Sequence, residues 1–329
     1  MKSARWTRKI VMGKAASSGR PEIDKDVWDV TKDELSKSWL SGPFTEDELR
    51  LMLGPMYVVS RRFGINQNDK VRQIDDLSAS LVNASFSVRF KVDLGGIDEA
   101  ALVAKMMLEA VGDDRSVTIR LSDGRELKGK LHESLSPTKA RDLVGRTLDL
   151  DAAYKQIPIA MSSRWASVLR IHNFEKNVDQ NYVAEALPFG ASASVYSFNR
   201  FSRALRVIGT RLFRLVWTCY FDDFICFDLH CMSSSSQSTA EELLTLLGWR
   251  FSLKEKKRKP FAKSFEALGV VFDLSGSVQN VIRIQNKEAR QVALDEAINE
   301  IEKSKSCPQS RAASLRGAIQ FSEGQLFGE

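Results

Sequence analysis

Between Arg211 and Asp228 the chain reads RLFRLVWTCYFDDFICFD, two apolar and aromatic runs with Asp222 and Asp223 set between them. The pattern is that of a hairpin whose tip carries both charges. Aspartate tolerates turn conformations, so an acidic hairpin tip is ordinary by itself. The apolar flanks change the weighing, because they hold the turn against a packed body. Neighbouring like charges repel, and burying them costs on the order of several kcal/mol unless a cation intervenes.

A third carboxylate is available upstream. In GRTLDLDAAYKQIPI a strand-like run ends at Asp149, and if the two strands lie side by side three carboxylates converge. Such an oxygen-rich site suits Mg²⁺, which prefers few carboxylates, waters and substrate phosphates. Two such ions about 4 Å apart can activate a nucleophile and steady a leaving group at phosphorus. The competing reading of Asp149 is a simple turn cap.

The rest of the chain bounds the setting. Its 329 residues allow one to three domains, and 43% apolar with 27% charged residues is a globular balance. A net charge of +6 permits a polyanionic partner without demonstrating one. Cys219, Cys226, Cys231 and Cys307 show no CxxC spacing and read as free thiols rather than zinc ligands. No apolar run approaches the roughly 18 residues of a membrane span, and the basic start lacks a secretory apolar block. The expectation is an intracellular protein, cytoplasmic or nuclear, with no membrane partner.

Local signals predict the elements. Thr45 and Glu48 form a capping box for a short helix ended by Gly54-Pro55. MYVVSRR and KVRQID form a hairpin, an amphipathic helix follows with Asp98 as cap, and Asp123-Gly124 turns a second hairpin. LPFGASASVYSFNRFSRALRVIG is a helix entered through Gly190. STAEELLTLLG is a helix boxed by Ser238 and Glu241, and the serine run 233–236 is a linker. EALGVVFDLSGSVQNVIRI is a further hairpin, and two helices broken at Cys307-Pro308 close the chain. Without a βαβ rhythm, the pattern favours an α+β fold with a mainly antiparallel sheet.

TLDLDAAYKQIP, LPFGASASVYSF, YFDD and KSFEALGVVFD occur in the order of the palm motifs of reverse transcriptases, and VVSRRFGINQNDKVRQIDD resembles the fingers hairpin that precedes them. The sequence most resembles the enzymes of retrotransposons, of the LTR or DIRS-like kinds. This resemblance implies a right-hand polymerase. Its parts would be an N-terminal extension over 1–43, a partly disordered loose tail, and fingers over 44–145 with an insertion near 84–140. A palm would follow over 146–285, with part of the fingers near 160–186, and thumb or connection helices would begin at 286–329.

The resemblance also implies roles. Asp149, Asp222 and Asp223 would be the catalytic carboxylates, holding two Mg²⁺ ions (Mn²⁺ as substitute) with the Leu150 carbonyl as helper. Asp151 reads as a neighbour rather than a ligand. Tyr154 sits where the family carries an aromatic steric gate against the 2′-OH. Arg72, with Lys70 on the same strand face, would grip the triphosphate, and Arg61 and Arg62 across the hairpin could reach template or phosphate. Phe189-Gly190 would face the nucleotide and template. Phenylalanine there, where retroviral members have a polar residue, moves the subfamily toward retrotransposons, while Val195 replaces a proline of many members. Arg200, Arg203 and Arg206 form a basic stripe or a solvated face. Tyr220 would help shape the primer-end pocket. In KEKKRKP, Lys256 would be the general acid for pyrophosphate.

The implied activity is template-directed DNA synthesis, RNA-directed, on an RNA or DNA template with primer and dNTP, by a chain that reads as part of a longer polyprotein. Two alternatives stand: a catalytically inactive or domesticated remnant that binds nucleic acid, and an RNA-dependent RNA polymerase.

Overall fold

The computed structural model describes residues 4–67, 70–88, 92, 94–254 and 258–327, with side chains described up to 324. In chain order its helices and strands are α1 Ala4–Met12, α2 Pro21–Ser36, β1 Leu40–Phe44, α3 Glu46–Leu53, β2 Val59–Gln67, β3 Lys70–Asp76, α4 Ile97–Glu109, β4 Ser116–Arg120, β5 Glu126–Lys130, α5 Pro137–Ala140 and β6 Leu143–Asp149. There follow β7 Val168–Asn173, β8 Val178–Ala184, α6 Ser192–Phe213, β9 Val216–Tyr220, β10 Asp223–Leu229, α7 Ser233–Leu246, β11 Ser264–Ala267, β12 Val270–Asp273, β13 Arg283–Asn286, α8 Glu288–Ser304 and α9 Gln309–Phe327. Among the described residues no helix is long and apolar enough to cross a membrane.

The chain divides into two compact units, each assembled from two stretches: Met1–Val92 with Ala152–Phe201, and Asp93–Asp151 with Ser202–Glu329. The helix of the expected insertion, α4, buries Ala100, Ala104 and Leu108 in one core with Phe227, Phe265 and Phe272, which ties it to the second unit.

The first unit is built on a five-stranded sheet in the order β1-β8-β7-β2-β3. Its pairs are antiparallel except β2 with β7, which run parallel. From Ala4 onward the N-terminal residues form packed helices rather than the loose tail expected. Val11 of α1 joins Leu49, Tyr57, Val59, Val168 and Val183 in a core, while Trp28 of α2 joins Leu40, Leu169, Ile171 and Tyr182. The buried Arg8 donates to the carbonyls of Tyr57 at 2.8 Å and Pro55 at 3.2 Å, so its charge anchors the helix. At Gly64 a Cβ would collide with Ile23 and Val27, and its absence lets α2 lie directly on β2.

Arg62 also departs from expectation. Adjacent strand residues face opposite sides; Arg62 points inward and is 1% exposed. It meets both oxygens of Asp75 at 2.6 and 3.0 Å and Glu34 at 2.6 Å, and Glu34 also pairs with Lys155 at 2.7 Å. Phosphate is out of its reach.

The second unit holds the sheet β6-β10-β9, the meander β11-β12-β13 and the separate hairpin β4-β5. Several local expectations shift here. α4 starts at Ile97 with Gly96 as cap, so Asp98 lies inside the first turn. The second hairpin turns through 121–125 rather than a tight pair, closed by Leu121 N–H to Arg125 O and Gly124 N–H to Leu121 O. The serines at 233–236 open α7 instead of linking to it, because Ser233 donates to the His230 carbonyl and Ser236 to Asp228. Glu241 is drawn to Arg146 at 3.2 Å and Arg258 at 2.6 Å, and the expected box with Ser238 does not form.

Candidate active site

Strand β10 pairs with β6 so that Asp223 lies directly opposite Asp149, and with β9 so that Asp223 lies opposite Tyr220. The turn is therefore Phe221-Asp222, and Asp223 begins the strand instead of sharing the tip. Directly opposed residues of an antiparallel pair share a face, with Cβ atoms about 4.5–5.5 Å apart. Two carboxylates 74 positions apart in the sequence thus become cross-strand neighbours, with a third one residue away. All three are half-buried.

The supports of this arrangement are apolar. Phe224, Ile225 and Phe227 are at most 1% exposed, Leu148 and Trp217 are buried, and the Trp217 and Phe224 rings lie 4.8 Å apart. Burial pushes the Cys226 thiol up to about 12, and it raises the Cys219 thiol as well. The backbone beyond Asp149 is pinned by Ser252 N–H to Asp149 O at 2.9 Å and Asp151 N–H to Arg250 O at 3.0 Å. Leu150 is buried and Asp151 exposed.

At the turn Phe221 has φ +52°, in the left-handed region where a bulky side chain costs roughly 1–3 kcal/mol. The hydroxyl of Ser202, fully buried on α6, donates to the Phe221 carbonyl at 2.5 Å. Ser202 carries no pattern in the sequence that would single it out. Tyr220 and Phe221 meet edge to face at 4.9 Å.

Asp149 and Asp223 open onto a cleft of about 800 Å³ whose walls include Lys259, Glu266, Gln285 and Lys287. Among the described residues no group of three or more His, Cys, Asp or Glu side chains is gathered closely enough to hold a metal ion by itself. The donor set nonetheless suits Mg²⁺. That ion takes one or two carboxylates together with waters and substrate phosphates rather than an all-protein cage.

Within the first unit, Tyr154 is half-buried, stacked on Phe198 with centroids 4.8 Å apart, and edge-on to Phe189 at 5.8 Å. Phe189 is 62% exposed. Gly190 has φ +89°, a conformation that favours glycine. Asn83, which sequence reasoning passed over, brackets this turn: its Nδ2 donates to Gly190 O at 3.1 Å and its Oδ1 accepts from Ser192 N–H at 2.9 Å. Lys70 and Arg72 are both exposed on one face of β3. Arg61 lies over the Phe63 ring at 4.5 Å and donates to Ala15 O. Of the basic stripe on α6, Arg200 and Arg203 are exposed while Arg206 pairs with Glu99 at 2.5 Å. Lys256 lies outside the described residues.

The family described as reverse transcriptase (RNA-dependent DNA polymerase) matches residues 100–272. No curated protein matches the sequence. Among solved structures, the fold is similar to a foamy viral protease–reverse transcriptase dRH in complex with double-stranded DNA, at TM-score 0.59 and 14% identity over 92% of this chain and 41% of that one. A second foamy viral protease–reverse transcriptase in complex with double-stranded DNA matches at TM-score 0.57 and 15% identity, over 93% of this chain and 49% of that one. The chain thus spans less than half the length of either.

Proposed function

The chain belongs to the reverse transcriptase (RNA-dependent DNA polymerase) family, and from that premise we propose that it carries out template-directed DNA synthesis, RNA-directed in its natural setting. The observation that carries the proposal is the register that sets Asp149 opposite Asp223 with Asp222 beside them. In the reaction the primer 3′-OH bonds to the α-phosphorus of a dNTP, the bond to the β-phosphate oxygen breaks, and pyrophosphate leaves.

Asp149, Asp222 and Asp223 would hold Mg²⁺ with the Leu150 carbonyl as a further oxygen donor. When bound, the metal supplies a lowered pKa at the attacking hydroxyl and neutralises charge on the departing phosphate. The apolar residues behind the carboxylates fix their geometry. In the first unit, Arg72 and Lys70 would take the triphosphate, where an Arg fork meets two oxygens at once. Tyr154, braced by Phe198, would leave no room for a ribose 2′-OH. Gly190 admits backbone approach to a base pair, and Phe189 beside it supports assignment to a retrotransposon of the LTR or DIRS-like kind. Lys256 would protonate pyrophosphate.

The test is primer extension on poly(rA)/oligo(dT) with dTTP and Mg²⁺. Wild type extends the primer; Asp222→Asn loses roughly a hundredfold or more of the rate while binding template–primer as before. Extension by the variant at the wild-type rate would overturn the assignment. A wild-type chain that binds the duplex and never extends it would establish the non-catalytic remnant instead.

A further inference from the structure

From Ala4 to Arg20 the chain carries Arg5, Arg8, Lys9, Lys14 and Arg20 and no acidic residue. The inner face of α1 is committed: Ala4, Thr7, Arg8 and Val11 are buried, with the Arg8 guanidinium on backbone carbonyls and 4.1 Å from the centre of the Tyr57 ring. The exposed positions, Arg5, Trp6, Lys9 and Ile10, fall within one arc of the helix and point outward. Trp6 is 65% exposed, whereas none of the chain's other tryptophans is an exposed residue. A single exposed apolar residue needs no explanation. Here an outward tryptophan is flanked by cations on a helix already locked down by its opposite face, so ordering the surface costs little more on binding.

The position of α1 narrows the ligand. Ala4 and Thr7 line a cavity of about 230 Å³ together with Ser80, Leu81, Ala84 and Ser85. Within that same segment Asn83 holds Gly190 and Ser192, the turn to which the template-facing role is assigned. Cationic side chains interleaved with an exposed aromatic ring are the means by which proteins track an unpaired strand: charges follow the phosphates, and a ring stacks on a base of any identity.

We propose that the outward face of α1 binds the single-stranded part of the template, with Trp6 stacking on a base and Arg5 and Lys9 on phosphates. The proposal rests on the polymerase reading for the identity of the strand. Its ligand class is single-stranded nucleic acid.

Fluorescence anisotropy tests it, using a labelled primer annealed either to a blunt RNA template or to one with a 5′ overhang of about 16 nucleotides. Wild type binds the overhang form more tightly. Trp6→Ala weakens that form about tenfold and leaves the blunt duplex unchanged, whereas Trp6→Phe keeps most of the affinity. Arg5→Gln with Lys9→Gln lowers the salt slope for the overhang form by about 1.4. First-nucleotide extension on a short template stays at the wild-type rate in all variants. Equal affinity of Trp6→Ala and wild type for the overhang form overturns the proposal, as it would if this face served another protein. An equal loss on the blunt duplex overturns it too. Failure of wild type to extend any primer sinks the polymerase reading alone, because the overhang comparison is read independently of catalysis.

Discussion

Under the proposed function, Tyr154 would carry sugar selectivity because its neighbours fix it. Phe198 stacks under the ring and Phe189 abuts its edge, leaving the ring little freedom to swing aside for a ribose. Tyr154→Ala is expected to narrow the preference for dNTP over rNTP by about tenfold or more, measured as the ratio of kcat/KM for the two nucleotides, with dNTP incorporation reduced less than rNTP incorporation is raised. Unchanged discrimination would leave Tyr154 an ordinary core tyrosine. At this scale the sequence was legible where chemistry leaves a pattern. Asp149, Asp222 and Asp223 stand out because charge interrupts apolar runs. Arg62 was misread although the needed signal was present, since strand periodicity allows only one of Arg61 and Arg62 to face solvent. Ser202 and Asn83 could not have been found: each acts through hydrogen bonds to backbone, which any small polar residue in any context resembles.

The β9–β10 hairpin is the element on which the site depends, and it holds an unfavourable conformation at Phe221. Its brace is the bond from Ser202 to the Phe221 carbonyl. Ser202→Ala should lower kcat for primer extension by about tenfold to a hundredfold, with KM for dNTP unchanged and a stability loss of about 1 kcal/mol. Ser202→Thr, which keeps the hydroxyl, should restore most of the rate. A drop in stability with no change in kcat would assign Ser202 a structural role only. Elements whose signals are local were readable: the Thr45–Glu48 box forms with both of its bonds. The start of α7 was not, because Glu241 is taken by arginines distant in sequence and the serines ahead of it find partners near the end of β10.

At the scale of the molecule, the chain leaves its first unit near residue 92, returns at 152 and leaves again at 201. No local signal encodes such crossings, since they follow from which apolar faces find each other. The first unit contains the buried Glu34, Arg62 and Asp75, joined by the half-buried Lys155. Burial alone would raise the Glu34 carboxyl, but the charges of Arg62 and Lys155 outweigh it and hold the group below the usual carboxylate range. Its folded pKa being the lower one, Glu34 stabilises the fold at neutral pH, and that contribution disappears as pH falls below the ordinary carboxylate range. Urea unfolding across acidic pH should show stability declining there. Glu34→Gln should cost about 3 kcal/mol at neutral pH and flatten the decline. An unaltered pH profile in the variant would place the acid sensitivity elsewhere.

The ladder between β6 and β10 runs unbroken from Asp149–Asp223 to Leu143–Leu229. In a sheet, slipping by one residue turns every side chain to the opposite face. Leu143, Leu148, Phe224 and Phe227, which touch no reacting group in the proposal, therefore act as the gauge that aligns two acids across a gap. Evolution of this core is tethered to chemistry: packing can be traded residue for residue only where the alignment survives.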